Sequence, residues 1–218
     1  MTVGADPGAG AADVLVVRGP RLTLRYPTRE DARDLFALGS DPEVTRFFSW
    51  GPYTDERQAL AYIDSLPPAR RAGSRLEFAI ADEAGHPLGV TGLSEFSPRD
   101  RRAVVGTWLG RPHWGSGANA ESKALVLGLA FRCLGLERAS ALVNPENQRS
   151  VRALERLGFE REGVLRNWHI HDDGPRDCAI MRLMREDFEA GPLARVPCEL
   201  EGAPPRRWVV GGVYSQRK

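Results

Sequence analysis

The chain lacks any apolar run able to cross a bilayer. Such a span needs roughly 18–20 residues, and the longest apolar stretch, Ala124–Phe131, falls well short. Residues 1–13 lack the basic segment and apolar core of a secretory signal, so the cytoplasm is the expected compartment and no membrane partner is expected. Cysteine is scarce. Cys133, Cys178 and Cys198 are odd in number and far apart, with no Cys-x-x-Cys pair. That argues against a disulfide framework and a cysteine zinc site, and no metal is expected. Charge of one sign is lacking too. Lys plus Arg number 30 and Asp plus Glu 29, for a net charge of +1. A dedicated nucleic-acid binder carries a basic excess, so no direct nucleic-acid partner is expected. No internal repeat is visible. No Gly-Lys-Ser/Thr follows a glycine loop, which excludes a Walker-type phosphate loop.

What is present is an ordinary globular composition, 42% apolar and 27% charged over 218 residues. That suits one domain with tails. Residues 1–13, mostly Gly, Ala, Asp and Pro, read as a disordered tail. Residues 14–190 read as the domain. Residues 191–218 read as an irregular extension, too apolar at Trp208, Val209, Val210 and Tyr214 to be free. The expectation is that it packs on the domain or on a partner subunit, with a short strand at Trp208–Val213. As an added edge strand, Trp208-Val209-Val210 offers a route to a homodimer.

Between the tails the pattern is mixed α and β. Val14–Val17 and Leu22–Tyr26 read as strand pieces. Thr28-Arg29-Glu30-Asp31 is a capping-box pattern that starts a helix, and Asp41-Pro42 opens a short one. Thr54-Asp55-Glu56 caps a helix that Pro67-Pro68 should stop. Leu76–Ala81, Leu88–Phe96 and Ala103–Leu109 then read as an antiparallel meander. A glycine loop and a largely apolar helix, Ala120–Leu134, follow. Ala139–Val143 is a strand and Asn147–Leu157 a helix. Val164–His171 and Cys178–Met184 form a last hairpin.

The most informative stretch runs from Gly106 through Trp108, Leu109 and Trp114-Gly115-Ser116-Gly117-Ala118-Asn119 into the apolar helix. A strand enters a glycine loop and a helix begins at once. Unpaired N–H groups and the helix dipole make such a start an anion site. Gly115–Ala120 also fits the letters of a dinucleotide fingerprint. Its context is wrong, because antiparallel strands precede it and the next strand ends at Asn144 with no acidic residue. A tight turn that binds nothing is the plain alternative.

Further on, Asn144-Pro145-Glu146-Asn147-Gln148-Arg149-Ser150 leads into Leu154-Glu155-Arg156-Leu157-Gly158-Phe159 and Glu162-Gly163-Val164-Leu165-Arg166. Together with the glycine loop, these motifs resemble the GNAT acyl-CoA N-acyltransferases, most of all their RimJ/RimL-type, ribosomal-protein-acetyltransferase-like branch. The resemblance covers about residues 20–188. It implies an α/β fold, a mixed, mostly antiparallel twisted sheet of about seven strands with helices on both faces and a splayed central strand pair. It implies acetyl-CoA as co-substrate. Amides of Gly115, Ser116, Gly117, Ala118 and Asn119 would hold the pyrophosphate, beside Trp114, which stands where the family usually has Arg or Gln. Trp108 and Leu109 would bond the pantetheine through their backbones. Asn144 and Asn147 match polar positions near it, and Ser150 matches a serine near the sulfur.

Acyl transfer to an amine needs a neutral nucleophile, a stabilised oxyanion and a proton for the departing thiolate. By resemblance the Leu109 N–H serves the oxyanion and the Ser150 hydroxyl the thiol. The competing reading of Ser150 is a first-turn serine satisfying backbone donors. Val104 and Leu154 stand where many relatives have a Glu base and a Tyr acid. His169 aligns with a Glu of some ribosomal-protein members, and a histidine, whose side chain titrates near neutrality at about 6.5 in general, is a residue type suited to a base. A packing or solvent-facing histidine is the competing reading. Alternation puts His169 and His171 on one strand face, with Trp168 and Ile170 on the other. Trp50 and Tyr53, in a Gly-Pro loop, are candidate acceptor-lining residues. The expected activity is N-acetyl transfer in a ternary complex, to a protein N-terminus or a small-molecule amine. A non-catalytic acyl-CoA sensor of the same shape, or use of another acyl-CoA, is the alternative.

Overall fold

The computed structural model describes residues 14–171 and 173–212. The tail read at 1–13 and the end of the extension, with Val213 and Tyr214, lie outside the described residues.

Elements follow the sequence patterns closely in the first half. Strands β1 (Leu15–Arg18) and β2 (Thr23–Arg25) pair antiparallel. Thr28 and Asp31 close the capping box before α1 (Ala32–Gly39). Asp41 caps the short α2 (Pro42–Thr45), with Pro at its first position. Helix α3 spans Glu56–Ala72, and here the expected stop at Pro67-Pro68 is wrong. Ala59, Ile63, Leu66 and Arg70 are buried at helical spacing across the two prolines. An interior proline costs about 3 kcal/mol, which the burial of that stripe outweighs. The helix ends instead at Gly73, whose φ of 78° only glycine adopts readily.

The meander β3 (Arg75–Ala81), β4 (Pro87–Ser97) and β5 (Arg102–Leu109) leads through the glycine loop to α4 (Ala118–Gly128). Leu129–Cys133 prolongs α4 as a wider turn. Then come β6 (Arg138–Val143), α5 (Gln148–Arg156), β7 (Glu160–His171), β8 (Gly174–Met184) and α6 (Arg185–Ala190). A last strand, β9 (Glu199–Gly202), pairs antiparallel with β1.

Among the described residues the sheet has nine strands, in the order β7-β8-β6-β5-β4-β3-β2-β1-β9. Neighbours are antiparallel except β5 and β6, which are parallel. That pair holds together only from Arg102–Val104 against Arg138–Ser140. Beyond it β5 stays on β4 to Leu109 while β6 stays on β8 to Val143, so the two strands splay. Helices cover both faces. Val90 packs with Leu35, Ala59 and Ile63 under α1 and α3. Leu93, three residues on and so on the other face, packs in the large core around α4.

Among the described residues the extension's strand is β9, and the described part of the expected Trp208–Val213 strand, residues 208–212, is not one. Trp208 is fully buried, its indole N–H donates to the Arg70 carbonyl at 3.0 Å, and its ring packs on Phe96. Residues 206–208 and 210–212 turn instead of extending. Trp208 and Val209 are spent in their own chain's core, so the edge-strand route to a homodimer is closed. Glu199 and Glu201 suit an exposed edge, and Arg18 pairs with Glu201 at 2.8 Å.

Candidate active site

The splay of β5 from β6 opens a cleft of about 180 Å³. A larger cavity of about 480 Å³ adjoins it under α3 and the loop after α2. Phe48, Gly106 and Thr107 line both.

The glycine loop sits at the open end of β5. Gly115 and Gly117 have φ of 76° and 89°, and Gly117 is the N-cap residue just before α4. A Cβ on Gly115 would meet nothing within 4 Å, so the main chain there is open to a ligand. The Ser116 hydroxyl donates to the His113 carbonyl at 2.8 Å and accepts from the Ala118 N–H at 3.3 Å. The loop is anchored from the other side by Glu121. That buried carboxylate accepts from the Arg21 and Leu22 N–H groups, both at 2.8 Å, and from Arg21 Nε at 3.0 Å.

Trp114 does not face solvent as a bare replacement for a cation. Its indole N–H donates to the Leu109 carbonyl at 2.8 Å, and the Arg149 guanidinium lies 3.3 Å from its ring centre. Arg149 thus stands over the loop from the first turn of α5. Burial holds it below its ordinary arginine pKa, against an opposing pull from Glu43.

Strand parity decides which main-chain groups face the cleft. Gly110 N–H donates to the Leu88 carbonyl at 2.9 Å, and Trp108 lies opposite Val90. Alternation then turns the Trp108 N–H and carbonyl toward β4 and the Leu109 N–H away from β4, toward β6. The expected backbone role of Trp108 in the cleft is therefore corrected. Its ring instead packs edge-on to Trp50 at 5.4 Å.

Asn147 caps α5, its Oδ1 accepting from the Ser150 N–H at 3.2 Å. Asn144 Oδ1 accepts from the Glu146 N–H at 2.8 Å. The first-turn donor is thus satisfied by Asn147, and Ser150 is among the residues that line the cleft. His169 and His171 both line it too, while Trp168 and Ile170 on the opposite face are 50% and 72% exposed. Trp50 and Tyr53 line the larger cavity, 5.2 Å apart. Among the described residues no cluster of His, Cys, Asp and Glu could hold a metal ion.

Three groups escaped the sequence reading. Glu77 lines the larger cavity and accepts from the Tyr62 hydroxyl at 2.6 Å. Burial first, and then Glu77, pushes the Tyr62 phenol well above its ordinary pKa. Thr107 bonds Thr91 at 2.7 Å, hydroxyl to hydroxyl. Lys123 Nζ donates to Thr107 Oγ1 at 2.8 Å from within the apolar helix α4. An ammonium inside an apolar run was the available signal.

Known proteins resemble this chain in sequence and in fold. The family model described as an acetyltransferase (GNAT) domain matches residues 21–160. The Bacillus licheniformis protein named "Uncharacterized N-acetyltransferase p20" is 34% identical over 169 residues, covering 77% of this chain and 95% of its own. The "[Ribosomal protein uS5]-alanine N-acetyltransferase" of Escherichia coli (strain K12) is 26% identical over 168 residues, covering 73% and 87%. The crystal structure of spermidine N-acetyltransferase from Vibrio cholerae, in complex with CoA and spermine, superposes with a TM-score of 0.67 at 22% identity. It covers 77% of this chain and 97% of that one, and shows the likeness of fold.

Proposed function

The chain belongs to the GNAT acetyltransferase family, and we propose that it moves an acetyl group from acetyl-CoA to a primary amine by direct attack in a ternary complex. The observation that carries this reading is the splayed strand pair. It opens a cleft that Ser150, Asn144 and Asn147 line, and strand alternation turns the Leu109 N–H away from β4 just before the glycine loop.

In this reading the amides of Gly115 to Asn119 hold the pyrophosphate, with Arg149 stacked on Trp114 supplying positive charge nearby. The amide nitrogens of Asn144 and Asn147 face the pantetheine, since their oxygens are used by the backbone. The Leu109 N–H donates to the thioester oxygen as it becomes negative. The Ser150 hydroxyl gives its proton to the sulfur, whose thiol has an ordinary pKa of about 8.5. His169 takes the proton from the amine. Trp50 and Tyr53 line the acceptor's side. An α-amine of pKa about 7.7–8.0 needs only such a mild base, which favours an N-terminal acceptor of the ribosomal-protein type over a small polyamine. No described helix is long and apolar enough to cross a membrane, and we place the reaction in the cytoplasm.

Calorimetric titration with acetyl-CoA, beside Gly117→Glu, tests the reading. Micromolar binding that the variant loses supports it, and no binding by the native chain overturns it. Ser150→Ala and His169→Gln should then lower kcat and spare coenzyme binding. An unchanged pH–rate profile in His169→Gln removes that histidine from the mechanism. Binding with no thiol release across a broad amine panel would mark a non-catalytic sensor.

A further inference from the structure

The chain carries two lysines, Lys123 and Lys218, among 30 basic residues. The rest are arginines, whose guanidinium never gives up its proton in a protein. The lysine at 123 is buried, only 5% exposed, and it lines the cleft that Ser150 and Asn147 also line. Buried lysines ordinarily pair with a carboxylate. Among the described residues, Lys123 has one polar partner, the Thr107 hydroxyl at 2.8 Å.

The walls of the cleft do not neutralise it. Glu121, on the same helix, is tied to Arg21 and to two backbone N–H groups. From β7 come His169 and His171, and from β8 come Arg176, Asp177 and Cys178. Asp177 accepts from the Asn167 N–H at 2.9 Å, and Arg176 pairs with Asp173. Burial lowers the Lys123 ammonium to about 8, so a useful fraction is neutral just above pH 7. A neutral amine at this place is a nucleophile beside a thioester.

We propose that Lys123 Nζ is a modification site, acylated in its own chain by the acyl-CoA thioester held in the cleft. This rests on the function proposed above. The nitrogen lone pair attacks the thioester carbonyl, the C–N bond forms and the C–S bond breaks with its electron pair on sulfur. The proton lost from nitrogen ends on that sulfur, leaving an amide and the coenzyme thiol. The amide removes a positive charge and occupies part of the cleft, so acylation slows transfer to an external amine.

The purified full chain is incubated with acetyl-CoA and no amine acceptor, then weighed by mass spectrometry and mapped by peptide. The expected result is one acetyl group, on Lys123, suppressed by excess desulfo-coenzyme A. Its rate should rise about tenfold from pH 7 to pH 9, following the neutral amine fraction. Lys123→Arg, checked for fold by circular dichroism, should carry none. Calorimetry on the same samples separates the two ideas. Coenzyme binding with no adduct on Lys123 overturns acylation alone, as does equal labelling of Lys123, Lys218 and the N-terminus. Failure of acetyl-CoA to bind overturns both.

Discussion

Replacing Lys123 by Met should make the protein more stable at neutral pH, although it removes a hydrogen bond. Folding lowers the lysine from 10.5 to about 8 through burial. Below pH 8 it is protonated in both states, and the folded state bears the full desolvation cost. At about 1.4 kcal/mol per pKa unit, that cost is on the order of 3 kcal/mol. Between pH 8 and 10.5 the folded chain sheds the proton while the unfolded chain keeps it. The unfolded state then binds more protons, so unfolding free energy rises with pH across that window. Above it the lysine is neutral in both states and the cost is gone. Met is unbranched, similar in length and uncharged. Loss of the contact with Thr107 offsets part of the gain, because bonds to charged groups contribute about 1.5–3 kcal/mol. Thr107 keeps its bond to Thr91. The net expectation is a variant up to about 1.5 kcal/mol more stable at pH 7, with the advantage shrinking toward zero near pH 10.5. Urea unfolding followed by tryptophan fluorescence at pH 7, 8, 9 and 10 measures it. Taking the difference between variant and native chain cancels the titration of tyrosines and cysteines common to both. A variant less stable than the native chain at pH 7, or a difference that stays constant with pH, refutes the reasoning.

Three further outcomes follow from the same structure. Glu121→Gln should destabilise by about 2–4 kcal/mol, since an amide cannot replace a charged acceptor serving two backbone N–H groups and Arg21; a thermal melt reads it. Trp208→Ala should cost about 3–5 kcal/mol, since the ring is fully buried and its indole N–H bonded. A denaturant midpoint unmoved by that change would mean the extension is not part of the cooperative unit. Gly117→Ala should cost about 1 kcal/mol, because φ is 89° there. The new methyl group would also approach Arg21 Nη2 at 3.1 Å, and calorimetry should show weaker coenzyme binding.

The fold was legible where local signals decide. The capping box at Thr28, Pro42 at the start of α2 and the meander of alternating strands need only neighbouring residues. Reading failed where distant packing overrides local preference. Pro67 and Pro68 are helix breakers by propensity, yet Leu66 and Arg70 on either side are buried and carry the helix through. Trp208 and Val209 look like strand residues by type. The Arg70 carbonyl, 138 residues away in sequence, claims the indole N–H and bends the segment into a turn. The true edge strand, Glu199–Gly202, is charged and short, so nothing in its composition announced it.

The site divides along the same line. The glycine loop could be read because positive φ values at a strand-to-helix junction demand glycine at fixed spacing. The shared face of His169 and His171 could be read because a strand alternates. Leu109 and Trp108 could not be told apart, because main-chain direction depends on pairing with β4. The bond from Gly110 to Leu88 sets that parity, and the two lie 22 residues apart in sequence. Glu77 and Tyr62, or Arg149 and Trp114, meet only after folding. Lys123 is the different case. It was visible as a lone ammonium in an apolar helix, and a helix buried all round has no face to put it on. Such a residue faces either a carboxylate or a cavity. Here it faces the cavity, and that makes its neutral form, rather than its charge, the chemically relevant one.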